Sequence, residues 1–246
     1  MKKNSPALIL SIILFLFWEI LARYVNLAFI LPWPTLIIER FWQLKKILIC
    51  HHLIATLKIS FISLTISLVL AIVLAIFMDI NKNIENAIYP IIVTSQTIPI
   101  TTIAPIFILW FGYSIWSKVL VAIIITFFPV TINIAQGLKS IKEEHLELFK
   151  SMGASKLDIF IKLKISSTLP YFFSSLKMAI PFVIIGTTIG EWLGANEGLG
   201  YFSKRMMTQL DGAGVFAPAI LISIIVVFIV KFISLVEDKL LIWVKK

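Results

Sequence analysis

The sequence predicts an all-α polytopic membrane protein with six transmembrane helices, and three observations carry that prediction. Of its 246 residues, 59% are hydrophobic and only 14% are charged, with a mean hydropathy of +1.00. That is more apolar side chain than the single core of a soluble domain of this length can hide. The apolar residues gather into six runs of roughly 20, the length needed to cross roughly 30 Å of hydrocarbon. Polar residues gather between the runs, above all in one island at 139–170. Spans are expected at residues 7–25, 54–78, 87–111, 117–137, 167–190 and 215–236.

The first run has the basic start and apolar centre of a secretion signal. It is long, however, and no A-x-A cleavage pattern follows, so it is read as a retained span. Residues 29–52 open with Pro32 and Pro34, which prevent a continuous helix from the first span, and continue with Leu36, Ile37, Phe41, Leu44 and Leu48 on a helical period. An interfacial helix is expected, with Trp33 and Trp42 at headgroup level. His51 and His52 imitate a metal pair, but adjacent helical side chains point about 100° apart and no carboxylate neighbours them in sequence.

The third run holds Pro90, Pro99 and Pro105 among Thr94, Ser95, Gln96, Thr97, Thr101 and Thr102. Prolines free backbone carbonyls, which persist at membrane depth only beside other helices or a water-filled path. Gln96, Thr97 and Pro99 are therefore candidates to line a translocation pathway; the alternative is that the hydroxyls knit helices together. In the fifth run Gly186, Gly190 and Gly194 recur every four residues, a stripe for close helix packing. Glu191 follows at the membrane boundary, either as a gate or pathway residue or in a structural ion pair with Lys204 or Arg205.

Within the island, Ser140 and Glu143 have the spacing of a capping box, and Ile141, Leu148 and Met152 recur on one face with Glu143, Glu144, Glu147 and Lys150 elsewhere. Gly153 ends this helix, and Ser155 with Asp158 opens a second one bearing Leu157, Phe160, Ile161 and Ile165. Helix, glycine turn, helix suits docking to a partner outside the bilayer; a hairpin resting on lipid headgroups is the alternative.

The formal charge of +9 comes from 22 Lys and Arg against 13 Asp and Glu. The basic residues flank apolar runs rather than interleave with aromatics, so a membrane surface fits better than nucleic acid. Lys2, Lys3, Lys139, Lys142, Lys150, Lys156, Lys162, Lys164, Lys239, Lys245 and Lys246 share one side of a six-span chain, which places both termini and the island in the cytoplasm. Arg40, Lys45 and Lys46 count weakly against this, lying in a longer amphipathic loop. The single Cys50 excludes an internal disulfide. No Gly-x-x-x-x-Gly-Lys-Ser/Thr loop, HExxH or GxSxG occurs, so neither nucleotide hydrolysis nor intramembrane proteolysis is expected of this chain. An ion-coupled secondary transporter is the remote alternative, disfavoured because only Glu19 and Glu191 lie near the spans and no internal repeat is visible.

Glu147, Gly153, Leu163 and Ile165 fall at the spacing of the E-A-A-x-x-x-G-(x9)-I-x-L-P cytoplasmic loop, so the island resembles that of type I ABC importer permeases. Leu148 and Phe149 stand for its two alanines, Ser166 for the first proline, and Leu169-Pro170-Tyr171 is retained. LPWPT, TIPITTIAPIFILWFGYSIWSKV and GEWLGANEGLGYF extend the resemblance over nearly the whole chain, to the subfamily for sulfonates, taurine, nitrate and thiamine precursors. ELFKSMGASKLDIF and the WFGY run look most like permeases for hydroxymethylpyrimidine precursors of thiamine.

The resemblance implies a type I transmembrane-domain fold, with residues 1–53 as first span plus interfacial helix, 54–236 as the transport domain, a coupling loop at 139–166 and a cytoplasmic tail at 237–246. It implies ATPase coupling through Glu147, Leu148, Met152, Gly153, Ala154, Leu163 and Ile165. It further implies a bacterial inner-membrane location, two copies of a partner ATPase that hold the ATP and Mg, an extracytoplasmic solute-binding protein, and a second permease copy. No cofactor is expected on the chain itself.

Overall fold

A computed structural model describes residues 5–242; Lys2, Lys3, Lys245 and Lys246, used above to orient the chain, lie outside the described residues. The described chain is helical throughout. Helix α1 (Ser5–Val25) is the first span, and α2 (Pro34–Ile47) follows with Pro34 at its first turn, where the missing N–H costs nothing. The expected separate interfacial helix is not separate: a π-helical segment, Leu48–Leu53, carries α2 directly into α3 (Ile54–Ile80). Every residue from Ile47 to Ile54 is an apolar or histidine side chain with no glycine or proline, so nothing in the local chemistry stops the helix.

The third span is broken. Helix α4 (Lys82–Ser95) and α5 (Ile100–Phe111) meet at a 99° bend across residues 96–99, where the run of prolines had suggested kinks in one continuous helix. At 1.5 Å per residue the halves are about 21 and 18 Å long, and neither alone crosses the hydrocarbon. Pro99 sits at the N-cap of α5 with extended backbone, which converts the expected kink into a break.

Helix α6 (Ile115–Lys139) leads to the island. There α7 (Glu143–Ser151), a glycine turn, and the short α8 (Lys156–Asp158) run through a second π-helical segment, Ile159–Ile165, into α9 (Ser166–Gly194). The island's second helix and the fifth span are thus one continuous helix, not two. Helix α10 (Leu199–Thr208) and the last span α11 (Gly212–Leu240) complete the chain. Among the described residues five helices are long and apolar enough to span, up to six if the bent pair is one span.

The centre of the bundle is α6 between α3 and α9, and small residues decide how close they come. On α3, Thr56, Ser60, Ser63, Ser67, Ala71 and Ala75 recur every three or four residues and are all buried. On α9, Gly186 and Gly190 lie against α6, while Gly194 lies against Tyr113 and Ile108. A Cβ on Gly186 would lie 2.5 Å from Ala122 Cα, and one on Gly190 would lie 2.9 Å from Lys118 Cα. Where lipid offers no hydrophobic drive between helices, such backbone approach supplies the packing.

Candidate functional site

Two places gather polar chemistry, and a cavity lies beside the second. The island forms the expected hairpin, with one correction. Helix α7 starts at Glu143 after Lys142, and Ser140 Oγ instead donates to Gly137 O (2.8 Å), closing α6. The capping box of Ser140 and Glu143 is therefore not formed, because α6 runs to Lys139 and Ser140 becomes its C-cap. The second box is present: Asp158 N donates to Ser155 Oγ (3.1 Å), and Ser155 N to Asp158 Oδ2 (3.3 Å). Between them Gly153, at φ +78°, makes the left-handed turn, and its flanking bonds, Gly153 N to Lys150 O and Ala154 N to Phe149 O (both 3.0 Å), form a Schellman motif.

Leu148, Met152, Leu157, Ile161 and Ile165 remain exposed on the hairpin, as does Glu147, while Leu163 and Ala154 are half-buried. Ion pairs pin the hairpin to the bundle: Lys164 Nζ donates to both oxygens of Asp79 at the end of α3 (2.6 and 2.7 Å), and Lys139 pairs with Glu85 at the start of α4. A third pair at the same end joins α9 to α11, Lys177 to Glu237 (2.6 Å).

At the opposite end Glu191 is completely buried, and neither Lys204 nor Arg205 is its partner. Lys204 Nζ donates instead to Trp192 O (2.7 Å). Glu191 Oε1 accepts from Thr56 Oγ1 (2.8 Å) and Oε2 from Gly200 N (2.7 Å). The N–H groups opening α10 are each taken by a side chain from elsewhere: Gly198 N by His52 Nδ1 (3.2 Å), Leu199 N by Thr56 Oγ1 (2.8 Å) and Gly200 N by Glu191. A helix start with no side-chain cap of its own is satisfied from two other helices. Gly198, at φ +109°, is the residue that wraps the backbone round the carboxylate; a Cβ there would collide with Glu191 Cδ. One turn further in, Ser60 Oγ donates to Thr56 O (2.8 Å) and lies 3.0 Å from Thr187 Oγ1, whose hydroxyl can donate to it. His51 does have a carboxylate near it, Glu197 at 3.8 Å, brought round by the chain between α9 and α10.

A cavity of about 840 Å³ lies between α9, α10 and α11. Trp192 and Ser203 border it toward the Glu191 end, Pro181 and Val226 lie deeper, and Thr101 at the start of α5 reaches it from the broken span. Of the residues singled out in the third span, Gln96, Thr97 and Pro99 occupy the break itself and are exposed, whereas Thr101 lines the cavity. The sequence reading missed Thr56, Thr188, Ser203 and Ser223, and saw in His52 only an imitation of a metal ligand. The only signal for Thr56 was its place on the small-residue stripe of α3; Ser203 and Ser223 carried none.

The description binding-protein-dependent transport system inner membrane component matches residues 67–241. The formylaminopyrimidine transport permease protein ThiX of Halalkalibacterium halodurans is 49% identical over 249 residues, with 100% of both chains aligned. The riboflavin transport system permease protein RibX of Chloroflexus aurantiacus is 36% identical over 97% of this chain and 91% of its own, and the taurine transport system permease protein TauC of Escherichia coli 23% over 91% and 82%. A solved amino acid ABC transporter superposes with a TM-score of 0.64 at 18% identity, over 80% of this chain and 95% of that one, a likeness of fold. Matched by the family over most of its length and by a relative from end to end, the chain belongs to the binding-protein-dependent transport system inner membrane components, the permease subunits of ABC importers, whose ATPase is a separate chain.

Proposed function

We propose that this permease carries a pyrimidine precursor of thiamine handed to it by an extracytoplasmic binding protein, and that two copies form the pathway above two ATPase subunits. The observation that carries the solute class is the 49% identity, sustained over both whole chains, with a formylaminopyrimidine permease; relatives for riboflavin and taurine are more distant.

The hairpin is the ATPase-coupling element in this reading. Its support is the exposed apolar row Leu148, Met152, Leu157, Ile161 and Ile165, held on a turn that Gly153 fixes and backed by the half-buried Leu163 and Ala154. Glu147 stands exposed beside that row for a charged partner group. The hairpin then lies in the cytoplasm with both termini, and the Glu191 cluster faces outward. ATP binding closes the ATPase pair, the hairpins move with it, and the spans alternate access as rigid bodies. Gln96, Thr97 and Pro99, exposed at the break of the third span, form part of the path; Glu191 sets the position of α10 beside it.

The test is ATP-driven uptake of labelled formylaminopyrimidine and hydroxymethylpyrimidine by cells carrying the chain with its ATPase and binding protein, against cells lacking only this chain. Uptake that requires the chain supports the solute; uptake of taurine or a sulfonate in its place overturns the solute and leaves the permease. Gly153→Asp is expected to leave the protein in the membrane while abolishing uptake, since the turn and the docking row are lost together. Normal uptake by that variant would refute the hairpin's coupling role.

A further inference from the structure

We infer that the cavity between α9, α10 and α11 is a solute-binding site of the permease itself, taking a neutral, flat heterocycle that presents N–H donors. The inference rests on the pyrimidine reading above and deepens it, because it gives this chain a share in choosing the solute rather than leaving selection to the binding protein alone.

Two of the four hydroxyls in the wall, on α9 and α11, carry the argument. Thr188 Oγ1 lies 2.9 Å from Ile184 O and 3.0 Å from Ile185 O, and Ser223 Oγ lies 2.8 Å from Ala219 O. A carbonyl oxygen only accepts, so each hydroxyl has committed its single hydrogen to its own helix and has lone pairs left. Facing the cavity, Thr188 and Ser223 are acceptors. A solute that matches them brings donors, as an exocyclic amino group or a formylamino N–H does.

Charge is the second constraint. Among the described residues that line the cavity none is charged, and most are apolar. An anion such as a sulfonate or nitrate would enter without a partner, at a cost far above that of a neutral ring carrying amino groups. Trp192 adds a flat aromatic wall at the Glu191 end, suited to stacking on a planar ring.

Place is the third. Thr101, the second residue of α5, brings the broken span to the cavity, and a discontinuous helix meeting a pocket at membrane depth is where transporters of other folds hold their solutes. At about 840 Å³ the cavity is much larger than a single pyrimidine, so it holds the ring with water and weakly, as a site of passage must.

The experiment uses the purified permease–ATPase complex in lipid nanodiscs without binding protein, and labelled formylaminopyrimidine as the probe. Saturable binding is expected, undiminished by excess taurine. Thr188→Val with Ser223→Ala should weaken it about tenfold, the loss of two acceptor contacts. Thr65→Val, which removes a hydroxyl bonded to Phe61 O away from the cavity, should leave binding unchanged. Retained ATP hydrolysis by each variant complex shows that the fold survived. No saturable binding by a complex that imports formylaminopyrimidine with its binding protein would overturn this site and leave the solute assignment standing. Equal displacement by taurine, or wild-type affinity in the double variant, would also overturn it. Failure of import itself would remove the pyrimidine reading, and the site with it.

Discussion

Helices α3 and α9 are clasped at both ends, and the two clasps are built from different chemistry. At one end a fully buried carboxylate, Glu191, takes Thr56 and the first turn of α10 through hydrogen bonds, with Ser60 and Thr187 joined just inside. At the other, Lys164 and Asp79 form an ion pair whose side chains are 23% and 7% exposed, at the edge of the hairpin. The first clasp has no solvent to fall back on, so every donor and acceptor in it must be matched. The second has water within reach of its lysine, which replaces much of what a broken pair loses. The hydrogen-bonded end is therefore the rigid one, and the ionic end is the one that tolerates rearrangement.

The sharpest way to break this comparison is Glu191→Ala. It leaves the Gly200 N–H without a partner in a buried site, turns the Thr56 hydroxyl back on His52 O alone, opens a cavity where the carboxylate was, and is expected to destabilise the chain by about 3 kcal/mol. Thermal unfolding in detergent measures it, and an unchanged midpoint would mean that the end is not rigid. Glu191→Gln should fall between, because the amide accepts through one atom only while Thr56 and Gly200 require two acceptors.

Gly186→Val asks whether packing between the clasps matters as much as the clasps. With its Cβ only 2.5 Å from Ala122 Cα, the variant must part α6 from α9 at a cost of about 2 kcal/mol. A smaller loss than that of a surface substitution would show that the helices are held by their ends alone.

At the ionic end the effect should be smaller still. Asp79→Lys should cost about 1 kcal/mol after discounting for solvent at Lys164 and reduce uptake, and adding Lys164→Asp should restore most of both. Failure of the swap to rescue would show that Asp79 acts through contacts other than this pair. The smallest effect expected is none: in a Cys50→Ser background, a disulfide between Ser60→Cys and Thr187→Cys, whose parent oxygens lie 3.0 Å apart, should leave uptake intact, since α3 and α9 move as one body at that level. Uptake lost on oxidation and recovered on reduction would show that the two helices slide past each other during transport.

The hairpin was legible from Gly153, Ser155 and Asp158, because turn and cap chemistry is local: a left-handed turn wants glycine, and an exposed helix start wants a side-chain acceptor. The same local rule failed at Ser140, where the preceding helix outlasted its apolar run and took the serine as its end. The glycine stripe of α9 was legible because its period is that of the helix. Its partner was not, since nothing in Gly186 names Ala122.

What the sequence by itself determined is the all-helical membrane class and the glycine turn of the hairpin, which follow from composition, run length and residues near one another in the chain; where one helix runs into the next and where the third span breaks did not follow from it. Tertiary structure alone decided what Glu191 does. The obvious cations, Lys204 and Arg205, are 13 and 14 positions away in the sequence, yet the carboxylate is satisfied by Thr56, 135 positions away, and by a backbone N–H. It decided too that the third span breaks beside a cavity and that Thr188 and Ser223 both line its wall. Buried polar groups must find partners wherever packing brings them, and packing joins residues by distance in space, a quantity that no local pattern encodes.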